Sequence, residues 1–311
     1  MTRLFGIAGV QMSVVPWDKE ATVAKMLDAI SQVSYNFPWV QMIVFHELAL
    51  PGMVQLVTAE RPDIWKRNAE PIPGPSLDRF CELARKTRKW ILPGSMYEQD
   101  GEDYYNTAVV ISPEGEIVAR YRKMFPWLPY ESATRAGEEF CVFDVPDVGR
   151  FGVAICYDLW FPEVARTLAW MGAEVILQPT MTPTSDRAQE LVMMQANAIF
   201  NQCFLVSVNG VGPYGGGRSL IVDPDGRVMQ QAGEHPTILT ETLDLDHVTR
   251  TREYGTIGLS QILKQLRDCN YKFPPYQDGS LDGGSFADLG PLAYHRDLHS
   301  VFTRPQAPSA D

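Results

Sequence analysis

The sequence has few cysteines, no long apolar run and a deficit of basic side chains. Five cysteines occur in 311 residues, an odd number without a Cys-x-x-Cys pair, which argues against a disulfide framework or a zinc ribbon. No stretch approaches the roughly 20 uninterrupted apolar residues that would span a bilayer. Basic residues number 27 against 38 acidic ones, for a net charge of −11, whereas nucleic-acid binding depends largely on lysine and arginine. We therefore expect a protein that binds neither membranes nor nucleic acid.

The composition is that of a folded globular chain. Hydrophobic residues make up 45% and charged residues 21%, which excludes a disordered or fibrous protein. A chain of this length buries roughly three-quarters of the surface that its unfolded form exposes, so it needs no disulfide or structural metal to fold. The N-terminal segment shows no targeting signal. Together with the odd cysteine count, this predicts a cytoplasmic location.

Short apolar runs rich in β-branched residues alternate with helical patterns along most of the chain. The runs predict strands over 4–11, 42–46, 90–97, 107–112, 117–122, 151–156, 175–178, 204–209, 219–222 and 238–243. Apolar spacings of three and four residues predict helices around 23–30, 77–84, 164–171 and 191–198. Most strands that precede helices are continuously apolar, as expected where both faces of a sheet are covered. The pattern predicts an α/β fold.

Two turn sequences predict hairpins. Ser-Pro-Glu-Gly at 112–115 and Asp-Pro-Asp-Gly at 223–226 each place proline second and glycine fourth, which favours a type I turn. The residues around the two turns are also alike. This similarity indicates either two related α/β halves or simply a common hairpin sequence.

The composition changes near residue 270, where proline, glycine, aspartate and aromatic residues become frequent. Such a segment cannot form a core of its own. We therefore divide the chain into a main domain, residues 1–269, and a C-terminal extension, residues 270–311. The extension is predicted to be an arm on the body or on another subunit, with a disordered tail as the alternative.

One cysteine differs from the others in its sequence context. Cys156 follows the apolar run 151–155 and precedes a short polar and aromatic connector before a helix start. In α/β proteins the carboxyl ends of strands bind ligands, and nearby helix N–H groups favour a thiolate. The other four cysteines lie in periodic apolar contexts typical of a core. Cys156 is thus the candidate nucleophile, with a buried structural cysteine as the alternative.

Charged side chains end two further apolar strands. Glu47 follows the run 42–46, and Lys123 follows the run 117–122. Burying either group is costly unless it is paired, so each is a solvated strand end or a partner in a site. The five histidines do not point to a base for the cysteine, and their spacing predicts no metal site.

Taken together, these three segments resemble the nitrilase superfamily of carbon–nitrogen hydrolases, whose signature is a Glu–Lys–Cys triad. Phe-His-Glu at 45–47 matches the glutamate motif, Tyr-Arg-Lys at 121–123 the lysine motif, and Gly-Val-Ala-Ile-Cys-Tyr-Asp at 152–158 the cysteine motif. The resemblance covers about the first 250 residues. It implies a four-layer α-β-β-α sandwich, homodimers or larger homo-oligomers, and no cofactor.

The resemblance also implies a role for each matching residue. Glu47 would be the general base and Cys156 the nucleophile. Lys123 and the backbone N–H of Tyr157 would stabilise the oxyanion. Glu131 matches a second glutamate that many members carry, and it would position Lys123 and the substrate. A structural role at the surface is the alternative for Glu131.

The motifs disagree about the substrate. Residues 122–131 resemble the lysine motif of aliphatic amidases and formamidases, whereas residues 156–163 are closer to carbamoylputrescine amidases and ω-amidases. Cys-Tyr-Asp in place of Cys-Trp-Glu argues against a nitrilase. Four aromatic residues are predicted to frame a pocket for a small neutral amide, with local packing as the alternative: Trp127, Tyr130, Trp160 and Phe161.

The sequence therefore predicts hydrolysis of a linear non-peptide amide to a carboxylic acid and ammonia through a thioester on Cys156. The nearest alternative is an N-carbamoyl amide hydrolase, which releases carbon dioxide as well as ammonia. A non-catalytic binding relative would have no need of all three triad residues. A thiol redox sensor would need a resolving cysteine near Cys156 in the sequence, and none is there.

Overall fold

The computed structural model describes residues 2–51, 64–128, 130–212, 215–271 and 273. Its strands are β1 Leu4–Gln11, β2 Met42–Phe45, β3 Trp90–Leu92, β4 Ser95–Asp100, β5 Asp103–Ile111, β6 Ile117–Arg122, β7 Cys141–Val145, β8 Gly149–Val153, β9 Val175–Thr180, β10 Phe204–Asn209, β11 Val211–Gly212, β12 Gly215–Gly216, β13 Leu220–Val222, β14 Val228–Gln231 and β15 Thr237–Asp244. Its helices are α1 Lys19–Asn36, α2 Ile64–Asn68, α3 Pro75–Thr87, α4 Pro162–Trp170, α5 Arg187–Asn201, α6 Leu245–Tyr254 and α7 Ile262–Asp268. A 3₁₀ turn covers Cys156–Trp160.

Two mixed sheets form the centre of the molecule. Within the described ranges, the first sheet has seven strands in the order β15-β1-β2-β3-β5-β4, with β6 beside β5. The second has six strands in the order β14-β13-β10-β9-β8-β7. Strands β1, β2 and β3 are mutually parallel, and so are β8, β9 and β10. Each sheet thus has a parallel centre and antiparallel edges.

Apolar residues fill the space between the sheets and under the helices. Side chains such as Phe5, Val44, Phe151 and Val206 form the core between the two sheets. A second cluster joins α1 and α3 to the first sheet, and a third joins α4 and α5 to the second sheet. The layers therefore run helix, sheet, sheet, helix, and the predicted four-layer sandwich is confirmed.

Two predicted strands end earlier than their apolar sequence suggested. The run 90–97 is divided into β3 and β4 at Pro93-Gly94, where Gly94 has a φ of +79°. A Cβ at Gly94 would lie 1.9 Å from the carbonyl oxygen of His46, so only glycine fits this close crossing. The strand predicted over 151–156 ends at Val153, and the chain then turns so that Cys156 begins the 3₁₀ turn.

The two predicted hairpins are present, one in each sheet. Gly115 N–H donates to the Ser112 carbonyl oxygen at 2.8 Å between β5 and β6, and Gly226 N–H donates to the Asp223 carbonyl oxygen at 2.9 Å between β13 and β14. Both glycines have positive φ values. One such hairpin in each of the two facing sheets is the arrangement that two related halves would have.

The predicted C-terminal extension, residues 270–311, lies outside the described residues apart from 270, 271 and 273. Helices α6 and α7 precede it, and the apolar patterns did not predict α6 because only three of its ten side chains are buried. Among the residues described, none of the helices combines the length and the apolar character required to cross a membrane.

Candidate active site

The ends of three strands bring Glu47, Lys123 and Cys156 to one place. Glu47 follows β2 and Lys123 follows β6 in the first sheet, while Cys156 lies beyond the end of β8 in the second. The Lys123 Nζ donates to Glu47 Oε1 at 2.8 Å and to Glu131 Oε2 at 2.5 Å. Glu47, Lys123 and Glu131 are 0%, 1% and 2% exposed. An ammonium group is therefore buried between two carboxylates.

Further hydrogen bonds fix both carboxylates. Asn106 Nδ2 donates to Glu47 Oε1 at 2.9 Å and to Glu131 Oε1 at 2.8 Å. The backbone N–H of Met181, beyond β9 in the second sheet, donates to Glu47 Oε2 at 3.0 Å. Both oxygens of Glu47 are thus held, one by groups of each sheet. Because all these groups are buried, the carboxylate is locked in a single orientation.

Glu131 closes the loop that follows Lys123. The Trp127 N–H donates to Glu131 Oε2 at 2.6 Å, and the Glu131 N–H donates to the Trp127 carbonyl oxygen at 2.9 Å. The carboxylate therefore holds Lys123 and folds its own loop at the same time. Since the side chain is buried, the alternative of a structural role at the surface is wrong.

Burial and the neighbouring charges shift the pKa values of Glu47, Cys156 and Lys123. It raises the pKa of Glu47 to about 7, with Lys123 opposing the change and Glu131 adding to it. Burial and the Glu47 carboxylate raise the pKa of the Cys156 thiol well above its usual range. Burial alone would lower the pKa of Lys123, but the carboxylates of Glu131 and Glu47 raise it well above its usual range. Near neutral pH the site therefore holds a thiol, an ammonium and a carboxylate that can exchange a proton.

Cys156 occupies a strained turn that Asp158 supports. Its φ of +47° is in the left-handed region, which costs a residue other than glycine about 1–3 kcal/mol. Asp158 Oδ2 accepts hydrogen bonds from Ile155 N–H at 2.9 Å and the Tyr121 hydroxyl at 2.7 Å, and Oδ1 accepts from Phe125 N–H at 2.8 Å. Burial raises the pKa of Asp158 to about 6. Asp158 thus ties the cysteine turn to the strand and loop that carry Lys123.

A narrow cleft with a cavity volume of about 10 Å³ opens at Cys156. Its described lining consists of Trp127, Cys156, Tyr157, Trp160, Met181, Thr182, Pro183, Thr184 and Asp186. Two of the four aromatic residues predicted to frame a pocket, Trp127 and Trp160, are in this lining. Tyr130 is not in this lining. Its side chain is 46% exposed and stacks on Trp127 at a centroid distance of 4.7 Å.

The structure places Phe161 against the protein rather than in the cleft. Its ring stacks on Phe125 with centroids 3.6 Å apart, and it packs against the core beneath α4 and α5. Pro162 follows at the first position of α4. Proline suits this position, because the backbone N–H that it lacks would have no partner within the helix. For Phe161, the alternative of local packing therefore holds.

Sequence reasoning did not find several polar residues of the site. Asn106 lies within β5 and Gln178 within β9, and both are almost completely buried. A lone amide inside an otherwise apolar strand is the signal that could have revealed them, because a buried polar group needs a partner. Thr182 and Asp186 follow β9 in a segment that the patterns left without a role.

The fold and the site define an α-β-β-α sandwich that presents a buried carboxylate and ammonium beside a half-buried thiol at one cleft. The sequence profile of the carbon-nitrogen hydrolase family matches residues 6–253. The chain belongs to that family, and the resemblance found in the three motifs is confirmed.

Relatives and solved structures agree with this assignment. A formamidase of Bacillus cereus (strain B4264) is 29% identical over 225 residues, which cover 70% of this chain and 66% of the formamidase. The alignment thus spans slightly less than two thirds of that relative's length. Saccharomyces cerevisiae Nit3, a member of branch 10 of the nitrilase superfamily, is 25% identical with a TM-score of 0.70 over 81% of this chain and 94% of its own. A carbon-nitrogen hydrolase from Helicobacter pylori G27 is 23% identical with a TM-score of 0.75 over 86% of this chain and 96% of its own.

Proposed function

We propose that the protein hydrolyses a linear, non-peptide amide to a carboxylic acid and ammonia through a thioester on Cys156. The observation that carries the proposal is the buried Lys123 held between Glu47 and Glu131 beside a thiol at the mouth of a narrow cleft. Membership of the carbon-nitrogen hydrolase family and the similarity to a formamidase support it.

In the first step Glu47 takes the thiol proton, and the sulfur of Cys156 forms a bond to the amide carbon. The carbonyl π electrons move to the oxygen and make a tetrahedral oxyanion. The Lys123 ammonium and the Tyr157 N–H stabilise that charge. The two carboxylates around Lys123 keep the lysine protonated, so its positive charge is present before the substrate arrives.

In the second step the oxyanion collapses, the carbon–nitrogen bond breaks, and the nitrogen takes the proton from Glu47. Ammonia leaves and a thioester remains on Cys156. Glu47 then takes a proton from water while the water oxygen attacks the thioester carbon. The carbon–sulfur bond breaks, the acid is released, and the sulfur recovers its proton from Glu47. One carboxylate thus acts alternately as base and acid.

The cleft supports a small acyl group. Its cavity volume of about 10 Å³ is far below the usual range for ligand sites, roughly 300–1,000 Å³, so only a compact acyl group suits it. Trp127 and Trp160 give it aromatic walls. We propose a short neutral amide, with an N-carbamoyl compound as the alternative because the cysteine motif resembles that of carbamoylputrescine amidases.

Ammonia release from a panel of compounds tests the proposed reaction. Formamide, acetamide, butyramide, an N-carbamoyl amine and the matching nitriles are offered separately to the purified protein, with carbon dioxide measured in parallel. We expect ammonia from the short amides, and carbon dioxide only if the carbamoyl compound is used. Ammonia from none of these compounds would overturn the enzyme assignment.

The pKa of Glu47 predicts how the activity depends on pH. Glu47 accepts a proton only when ionised, and its pKa is about 7. We therefore expect kcat/KM to rise about tenfold per pH unit below pH 7 and to level off above it. Because Glu47, Lys123 and Cys156 titrate as a coupled group, the midpoint belongs to the cluster. A pH–rate profile from pH 5 to 9 measures it.

Histidine is another side chain that could produce a midpoint near 7, and a variant provides the control. Burial lowers the pKa of His46 to about 4, so His46 stays neutral across this range. We expect a His235→Gln/His247→Gln double variant to keep the same acid limb. A flat profile between pH 5.5 and 8 for the wild-type protein would contradict the role of Glu47.

We further propose that two copies associate through the outer face of α5. Large apolar side chains on α5 are exposed, among them Val192 at 64%, Ile199 at 40% and Phe200 at 51%. Large exposed apolar surface marks interaction sites. Light scattering is expected to give at least twice the mass of one chain, and a Val192→Asp/Phe200→Asp variant is expected to give the mass of a single chain.

A further inference from the structure

A second buried polar cluster lies beside Cys156, on β9 and α5. Gln178, Thr180 and Glu190 are 0% exposed, and Arg187 is 3% exposed. Arg187 Nη1 donates to Glu190 Oε2 at 2.7 Å, which offsets the cost of burying the carboxylate. None of these four residues is part of the Glu47–Lys123–Glu131 group described above. The other oxygen of Glu190 faces two side chains that lead to the nucleophile.

The first of these side chains is Gln178. Its Nε2 donates to Glu190 Oε1 at 3.1 Å and to the carbonyl oxygen of Cys156 at 2.9 Å. Both neighbours are acceptors, so the amide nitrogen must face them. Gln178 Oε1 has no hydrogen-bond partner among the described residues although it is buried, and a buried acceptor without a partner costs about 1–3 kcal/mol. The two acceptors therefore dictate the orientation of the Gln178 amide. One of them is the backbone carbonyl oxygen of Cys156.

The second side chain is Thr180. Its hydroxyl donates to Glu190 Oε1 at 3.0 Å, and it lies 3.0 Å from the hydroxyl of Thr182. A carboxylate only accepts hydrogen bonds, so the Thr180 hydrogen is committed to Glu190 and its oxygen accepts from Thr182. Thr182 Oγ1 in turn lies 3.9 Å from Cys156 Sγ. The chain of hydroxyls thus starts at Glu190 and ends at the sulfur.

We propose that Glu190 is a positioning residue for Cys156, acting on the backbone carbonyl through Gln178 and on the sulfur side through Thr180 and Thr182. The inference rests on the proposed function, in which the sulfur of Cys156 attacks the amide carbon. Cys156 has a left-handed φ of +47°, and such a strained residue persists only when its surroundings hold it. The hydrogen bond from Gln178 supplies that hold at the carbonyl of the strained residue itself.

Misplacing the sulfur lowers the rate of attack without changing the cleft that binds the substrate. A displacement of about 1 Å at a reacting atom costs as much as 10²-fold in rate. Because Gln178, Thr180 and Glu190 are not in the described lining of the cleft, their loss should act on kcat rather than on KM. The same displacement should slow alkylation of the thiol by iodoacetamide, a reaction that needs no amide substrate.

Gln178→Met and Thr180→Val test the proposal. Methionine keeps the length of glutamine but donates no hydrogen bond. We expect Gln178→Met to lower kcat by about 10- to 100-fold with KM within about threefold of wild type, and Thr180→Val to lower kcat by about 3- to 10-fold. The rate of Cys156 alkylation, followed by intact mass, is expected to fall in parallel for both variants.

Asn201→Leu is the matched control. Asn201 is also a buried amide, lies on α5, donates to a backbone carbonyl oxygen at 2.9 Å and has a partnerless Oδ1 among the described residues. It does not contact Cys156, so its replacement should change stability but neither kcat nor the alkylation rate. If Gln178→Met fails to fold by circular dichroism, Thr180→Val decides the question alone.

Two outcomes separate this proposal from the proposed function. A folded Gln178→Met or Thr180→Val protein with wild-type kcat and wild-type alkylation rate would overturn the positioning role while leaving the amidase assignment intact. A wild-type protein that hydrolyses no amide would overturn the proposed function. In that case the alkylation rates would still report whether Gln178 and Thr180, the two partners of Glu190, position the thiol.

Discussion

Replacing Cys156 with alanine is expected to abolish amide hydrolysis, with kcat/KM falling by about 10⁴-fold or more. The substitution removes the atom that is proposed to form the covalent bond to the substrate. Glu47, Lys123 and Glu131 make their mutual hydrogen bonds without the thiol, so the charged groups should stay in place. The loss should therefore be one of chemistry, with the fold retained by circular dichroism.

A second cysteine provides the control for this variant. Cys81 lies on α3, half-buried and next to the core between that helix and the first sheet. We expect Cys81→Ala to keep wild-type kcat/KM. Added hydroxylamine should divert the wild-type thioester to a hydroxamate, and Cys156→Ala should form none. Hydrolysis by Cys156→Ala at more than one-hundredth of the wild-type rate would contradict a covalent mechanism.

The positions of Glu47, Lys123 and Cys156 could be predicted because each follows an apolar strand. Strands that share the interior of a sandwich bring their ends to a common edge, so a charged or nucleophilic side chain after each strand is what a shared site requires. The sequence motifs then gave the identity of that site. The strand ends alone left each charged group as either a solvated strand end or a partner in a site. The motif resemblance, which lies within a few residues of each strand end, decided between the two.

Residues inside secondary-structure elements were harder to recognise. Glu190 and Arg187 are three apart on α5, a spacing that on its own is typical of an exposed ion pair. Only the packing of α5 against β9 buries the pair, and no local sequence signal reports that packing. Asn106 is similar, because its two carboxylate partners are 59 and 25 residues away along the chain.

The aromatic residues show the same limit. Trp127 and Phe161 are both large, apolar and close to a triad residue in the sequence, so both were predicted to line a pocket. Phe161 instead stacks on Phe125, a contact between segments that lie 36 residues apart in the printed sequence. Whether such a side chain lines a cleft or packs the loop depends on that distant partner, which no local pattern specifies.

Replacing Lys123 with methionine is expected to lower the free energy of unfolding by about 3–5 kcal/mol and to abolish activity. Methionine has a similar length but carries no charge. The variant leaves Glu47 and Glu131 buried next to each other, both bound to the Nδ2 of Asn106. Removing one partner of a buried ion pair costs this much because the remaining charge is uncompensated. Chemical denaturation measures the change.

The destabilisation of Lys123→Met should depend on pH in a defined direction. Burial already raises the pKa of Glu47 to about 7, and Lys123 lowers it, so loss of the lysine raises it further. A carboxyl whose folded pKa lies above its unfolded value near 4.5 binds protons more tightly in the folded state. Its contribution to stability is then fully present below pH 4.5 and is lost as the pH rises through the folded value. The deficit relative to wild type should accordingly be smaller at pH 5 than at pH 8.

Lys89→Met is the matched control, because Lys89 is also a buried lysine but its Nζ donates to the backbone carbonyl oxygens of Pro38 and Val40 rather than to carboxylates. Its removal leaves no buried charge behind. We expect Lys89→Met to retain activity and to show a stability deficit that does not shrink at pH 5.

Equal deficits at pH 5 and pH 8 for Lys123→Met would contradict the view that the lysine is needed to neutralise Glu47 and Glu131. A smaller deficit at pH 5 confined to Lys123→Met would show that the ammonium which is proposed to stabilise the oxyanion also makes the buried carboxylates tolerable to the fold.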